Sequence, residues 1–204
     1  MRSGSTTSAS AVESPAGATP EAAAAAPSPL QKGRGVARCC LSCSLGSNNS
    51  ATRSALALVG WLALSFGTAA MGGFFLPGDW YAGLRKPSWN PPNWIFAPVW
   101  TALYATMAIA AWLVWIRGGF AGQRVALSLF LVQLLFNALW SPLFFGLHNP
   151  ALAFVDIVLL WLAVLATVVG FWKTRPLTGA LLVPYLAWVT FASVLNFAIW
   201  RLNR

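Results

Sequence analysis

The residues best placed to do chemistry are two amides set among aromatic rings. Gln133, Asn137, Trp140 and Phe144 follow at intervals of four, three and four, which aligns them on one face of a helix. Two primary amides facing hydrocarbon would stay unpaired, so this face is expected to look into a protein interior. Trp100, Tyr104 and Ala108 form a second stripe, and Trp188, Phe191, Ala192 and Leu195 a third. Three such faces describe a pocket for a flat apolar ligand carrying a few polar atoms. The same rings would also serve as packing or as anchors at a membrane–water interface, and spacing alone leaves both readings open.

Other chemistry is sparsely supplied. Asp156 is the one ionisable residue well inside an apolar run. An intramembrane carboxylate is a functional candidate, but this one lies about one and a half turns from the start of its run, where it also suits a helix N-terminus. His148, the single histidine, precedes Asn149-Pro150; it is a haem-ligand candidate or simply turn chemistry. Cys39, Cys40 and Cys43 stand without the His or second Cys pair that a zinc set needs. They are soft-metal or palmitoylation candidates, or incidental thiols. No Ser/His/Asp set, metal-ligand cluster or Gly-rich phosphate loop is present. Conventional hydrolysis and phosphoryl transfer are therefore not supported, and no catalytic residue or metal is assigned.

The elements that must position these residues follow from composition. Apolar residues make up 58% of the 204 and charged residues 8%, against roughly a quarter charged in soluble domains. There is too little polar surface for a water-facing shell, so the chain is expected to be an integral membrane protein. Five apolar stretches, at 55–76, 98–116, 125–147, 151–172 and 177–200, each approach the roughly 20 residues that cross hydrocarbon as a helix. They do not alternate as barrel strands do. The fold class is thus all-α, a bundle of five transmembrane helices. Three connections are short and imply antiparallel neighbours. The fourth, 77–97, is long and holds Asp79, Trp80, Tyr81, Arg85, Lys86, Trp89 and Trp94 among four prolines. Long loops in tight folds tend to carry function.

Residues 1–54 contain no Trp, Phe or Tyr and are rich in Ser, Ala, Pro and Gly. They are expected to be a disordered basic extension, with Ala22–Ala26 at most a transient helix, or else a targeting segment. The membrane domain is then 55–204. The net charge of +9 is scattered between apolar runs, which fits the ends of membrane spans rather than a nucleic-acid surface.

The sequence Trp80-Tyr81-Ala-Gly-Leu84-Arg-Lys86-Pro87-Ser-Trp89-Asn-Pro91-Pro92-Asn-Trp94, followed by Pro98-Val-Trp100-Thr101-Ala-Leu103-Tyr104, strongly resembles the TspO/MBR family. These are the tryptophan-rich sensory or translocator proteins, once called peripheral-type benzodiazepine receptors. Gln133–Phe145, Pro184–Trp188 and Phe191–Asn203 extend the resemblance over about residues 56–203. The resemblance implies a five-helix bundle, usually a homodimer, with a pocket for protoporphyrin IX, haem and related tetrapyrroles, and in animal members for cholesterol and benzodiazepine-type drugs. By position it would put Trp100, Tyr104, Asn137, Trp140 and Trp188 in the cavity lining, Ala192 in its wall, and Trp80 and Trp89 in a lid loop. Asn137, with Arg85 or Lys86 of that loop, would meet the ligand's polar edge or propionates. Phe197 stands where the animal sterol motif carries Tyr, so that motif is incomplete. The long N-terminal extension is similar to that of plant, algal or otherwise extended members.

The expected function is membrane-embedded tetrapyrrole binding in porphyrin homeostasis and stress response, with no obligatory cofactor. The rival readings are light-dependent porphyrin oxidation, passive porphyrin or sterol transport, and a structural scaffold. Ser65, Ala69 and Gly73 form a small-residue stripe in the first span that would suit a dimer contact or packing within one chain.

Overall fold

The computed structural model describes residues 29–75 and 77–204, with side chains from residue 50 onward. Among these residues every regular element is helical: α1 (Pro29–Gly73), α2 (Asp79–Gly83), α3 (Phe96–Trp115), α4 (Gly119–Gly122), α5 (Arg124–Ser141), α6 (Pro150–Thr174), α7 (Pro176–Ala180) and α8 (Val183–Leu202). The chain divides into two units, Met1–Leu45 and Gly46–Arg204. In the first, the described backbone is the opening part of α1. The expectation of an irregular extension as far as Ser54 therefore meets helical backbone from Pro29 onward. Proline suits a first helical position, and no other proline follows before Pro77 to stop propagation. The segment Ala22–Ala26 and the thiols of Cys39, Cys40 and Cys43 lie outside the described residues.

Five helices in the second unit are long and apolar enough to cross a membrane: Ser50–Gly73, Asn93–Trp115, Arg124–Gly146, Pro150–Thr174 and Pro176–Leu202. They match the five expected spans in order, with differences that proline explains. Pro142 has no N–H to continue α5, and the turn over Pro142–Gly146 widens so that Leu147 N–H donates to the Pro142 carbonyl at 2.8 Å. The last span is not one continuous helix. It begins as the short α7 and restarts at Val183, because Pro184 can donate no bond back to Ala180 and sits instead in the first turn of α8. At Gly179 a Cβ would meet Trp172 Cε3 at 2.7 Å and Trp172 Cα at 3.0 Å, so only glycine lets α7 fold back on α6. Asn149 caps α6 by accepting from Leu152 N–H at 3.0 Å, with Pro150 at the first helical position.

The core sits among α3, α5, α6 and α8, where Met107, Leu127, Phe130, Val164, Phe171 and Tyr185 are fully buried and Phe130 stacks on Phe171 with centroids 5.9 Å apart. From α1, Trp61 places its ring against Phe130 at 5.6 Å, and Trp112 Nε1 donates to the Ser54 carbonyl at 2.9 Å. Ser65 is fully buried and Ala69 packs on the core, while Gly73 stays exposed. Two members of the small-residue stripe therefore serve packing within this chain.

Candidate functional site

The face expected on α5 turns inward as its amides require, and it meets α3 and α8 through a buried polar chain. Tyr104 O–H donates to Asn137 Oδ1; Asn137 Nδ2 donates to the Tyr185 hydroxyl at 3.0 Å; Tyr185 O–H donates to Gln133 Oε1 at 2.9 Å. Gln133 Nε2 points at Met107 Sδ, 4.0 Å away. Each phenol and amide in this apolar interior thus finds a partner on another helix, the arrangement that offsets their desolvation. Trp100 leans over both phenols, its ring 5.4 Å from Tyr104 and 6.3 Å from Tyr185.

Toward the loop between the first two spans, aromatic rings replace the hydrogen bonds. Trp140 stacks on Phe144 at 5.0 Å. Trp188 packs edge-to-face on Phe96 at 5.8 Å and beside Phe191 at 5.5 Å, and Ala192 packs on the same core. The indole Nε1 atoms of Trp140 and Trp188 are both shielded from water and have no acceptor. Asp156 of α6 is only 5% exposed, with Oδ2 also unpartnered, and so is Asn196 Oδ1 of α8. The Asp156 carboxyl is therefore not a water-facing helix-terminal charge. Its level follows from two contacts between α6 and α8: Asn196 Nδ2 donates to the Pro150 carbonyl at 2.9 Å, and Trp161 Nε1 to Thr190 Oγ1 at 2.8 Å. Asp156 falls between these two rungs along α6.

The loop closes over this region. Trp89, 47% exposed, lays its ring 5.9 Å from Phe191. Trp80 lies 5.8 Å from Phe144 and 4.5 Å from the His148 ring. His148 is exposed in a left-handed turn (φ 51°), so its ring is part of the lid contact and not of the amide face. Tyr81 is buried against Phe144 and Phe145 and carries the Lys86 ammonium 4.4 Å over its ring. Arg85 is exposed, but its backbone is held at both ends: its N–H donates to Asn203 Oδ1 and its carbonyl accepts from Asn203 Nδ2, each at 2.9 Å.

The structure thus brings together Trp100, Tyr104, Asn137, Trp140, Trp188 and Ala192 beneath a loop carrying Trp80 and Trp89. The rings pack on one another and line neither of two clefts found elsewhere. One, of about 520 Å³, lies on the loop around Tyr81, Lys86, Asn90 and Asn93. The other, of about 430 Å³, lies on the outer faces of α6 and α8 around Phe154, Trp161 and Phe197. Sequence reasoning did not place Tyr185 in the polar chain, although it precedes Trp188 by three, the spacing of one helix face. No group of three or more metal-ligating side chains occurs among the described residues.

Known proteins share this pattern. A model of the TspO/MBR family matches residues 54–201. Protein CrtK of Rhodobacter capsulatus is 48% identical over 138 residues, covering 66% of this chain and 84% of that protein. The human translocator protein is 44% identical over 138 residues, covering 65% of this chain and 82% of that one. The tryptophan-rich sensory protein of Cereibacter sphaeroides is 42% identical over 143 residues, covering 70% and 89%. With five membrane-spanning helices in the matched region, the chain belongs to the TspO/MBR family of multi-pass membrane sensor and translocator proteins.

Proposed function

We propose that this protein takes a tetrapyrrole, protoporphyrin IX or haem, from the bilayer into the aromatic interior beneath the Trp80–Trp89 loop, and acts in porphyrin homeostasis and stress response. The observation that carries the reading is the set of shielded, unpartnered polar atoms there: the indole N–H groups of Trp140 and Trp188, with Asp156 Oδ2 and Asn196 Oδ1. Such atoms cost stability in an apolar interior unless a ligand completes them. A flat macrocycle with apolar faces, N–H groups and carboxylate-bearing edges offers both stacking and hydrogen-bond partners. Arg85, exposed on the loop, is the cation for its propionates. The single histidine lies on Trp80, so in haem the macrocycle, not an iron–imidazole bond, would be what these rings hold.

A homodimer is part of the proposal. Gly60, Ala63, Gly67 and Ala70 share one exposed face of α1, and around Gly60 and Gly67 there is open space. Small residues so arranged permit close approach of two membrane helices.

The test is a dark titration of the purified protein with protoporphyrin IX and haem, followed by tryptophan fluorescence. Saturable quenching is expected, weakened about 5- to 150-fold in Trp140→Phe and Trp188→Phe, the range for removing a buried anchor. Unchanged titrations in both variants would remove the interior site. A new product spectrum on illumination would move the reading to light-dependent porphyrin oxidation.

A further inference from the structure

We propose that the cleft of about 520 Å³ on the loop between the first two spans is a second site, which holds the phosphate of an anionic membrane phospholipid's headgroup. Its wall includes Tyr81, Lys86, Asn90 and Asn93, with Pro77 and Pro92 as stiff supports. The Lys86 ammonium is fixed at two points, 4.4 Å over the Tyr81 ring and 3.3 Å from the Ala82 carbonyl. Neither contact neutralises its charge, and the carbonyl uses one of its three N–H donors. No acidic residue is on the wall; Asp79, next in sequence to Gly78, is not part of it. Burial holds the Tyr81 phenol above its ordinary pKa of 10.0, opposed by a bond with Asn90, so it remains a neutral hydroxyl near pH 7. Asn93 adds a side-chain amide. Asn90 Oδ1, beside them, has no donor, while its Nδ2 donates to the Pro91 carbonyl at 3.1 Å.

Charge and position select a lipid. The cleft starts at Pro77, just past the end of the first span at Gly73, and finishes at Asn93, where the second begins. That is the depth of the phosphate layer at the edge of the hydrocarbon. The bonds between Asn203 and the Arg85 backbone bring two basic segments together, Arg85-Lys86 and Arg201–Arg204. Such a surface attracts anionic lipid over neutral lipid. Because Tyr81 faces both the cleft and the rings of Phe144 and Phe145, a headgroup in the cleft would also steady the lid.

The experiment is native mass spectrometry of the full chain in micelles with phosphatidylglycerol or phosphatidylcholine, with free sn-glycerol 3-phosphate as competitor. Retention of phosphatidylglycerol over phosphatidylcholine is expected. It should fall about fivefold in Lys86→Gln, the scale of one part-exposed charge contact, and largely return in Lys86→Arg. Asn93→Leu should give a smaller loss in the same direction and serves if Lys86→Gln does not fold. Equal retention by wild type and both loss variants would overturn the site. Displacement of the lipid by free glycerol phosphate would make it a soluble-anion site and overturn the lipid assignment. Neither result bears on whether the interior binds porphyrin.

Discussion

The buried chain from Tyr104 through Asn137 and Tyr185 to Gln133 allows a quantitative test of what joins α3, α5 and α8. In Asn137→Leu the side-chain volume is nearly kept, so a cavity contributes little. Two interhelical hydrogen bonds are lost. In membrane proteins such bonds average about 0.6 kcal/mol each. The two phenols do not suffer equally. Tyr185 still donates to Gln133, whereas Tyr104 loses its acceptor while staying 6% exposed. An orphaned buried hydroxyl adds about 1 kcal/mol at the low end of the usual range, so the variant should lose about 2 kcal/mol. Tyr104→Phe alone breaks one bond and should lose about 1 kcal/mol. In the double variant no hydroxyl is stranded and the shared Tyr104–Asn137 bond is lost only once, so its loss should be about 1 kcal/mol and fall short of the sum by about 2 kcal/mol. The assay is reversible unfolding in mixed micelles with rising dodecyl sulfate, read by tryptophan fluorescence. Additivity within about 0.3 kcal/mol, the behaviour of independent sites, would refute the coupling.

Three further outcomes follow from local geometry. Asn203→Ala removes both bonds to the Arg85 backbone, and amide exchange over residues 84–90 should speed up about tenfold while the spans stay protected; unchanged exchange would mean that the loop is held elsewhere. Burial raises the Tyr81 pKa above 10.0, so its stabilisation is full below pH 10.0 and is lost as pH rises through the folded value. Alkaline melting should therefore be less steep in Tyr81→Phe than in wild type, and identical profiles would show that Tyr81 carries none of this loss. Gly179→Ala would push a methyl against Trp172 and should cost about 1–3 kcal/mol by overpacking, seen as a lower Tm; an unchanged Tm would mean that α7 shifts freely.

The spans were legible because hydrocarbon demands long apolar runs, and five such runs stand out against 8% charged residues. The inward face of α5 was legible for the same reason, since Gln133 and Asn137 have no tolerable place in lipid. What hydropathy passes over is backbone chemistry inside an apolar run. Pro142 and Pro184 were in view, yet both lie in stretches that read as unbroken spans, so the widened turn after α5 and the restart of α8 were missed. Asp156 was judged by its distance from the helix end, although burial depends on neighbouring helices. The hold of Asn203 on Arg85 joins residues 118 apart and leaves no local pattern. The individual roles of Trp100, Trp140 and Trp188 came from the family resemblance, because a packed indole and a ligand-facing one have the same spacing.

That hold has a practical corollary. Asn203 reads only main-chain atoms of residue 85, so the latch is indifferent to which side chain stands there. Reversing the charge with Arg85→Glu would alter the electrostatics of the loop while leaving its tether in place, and charge and closure become separately adjustable. The tolerance is one-sided, because Asn203 supplies both the donor and the acceptor.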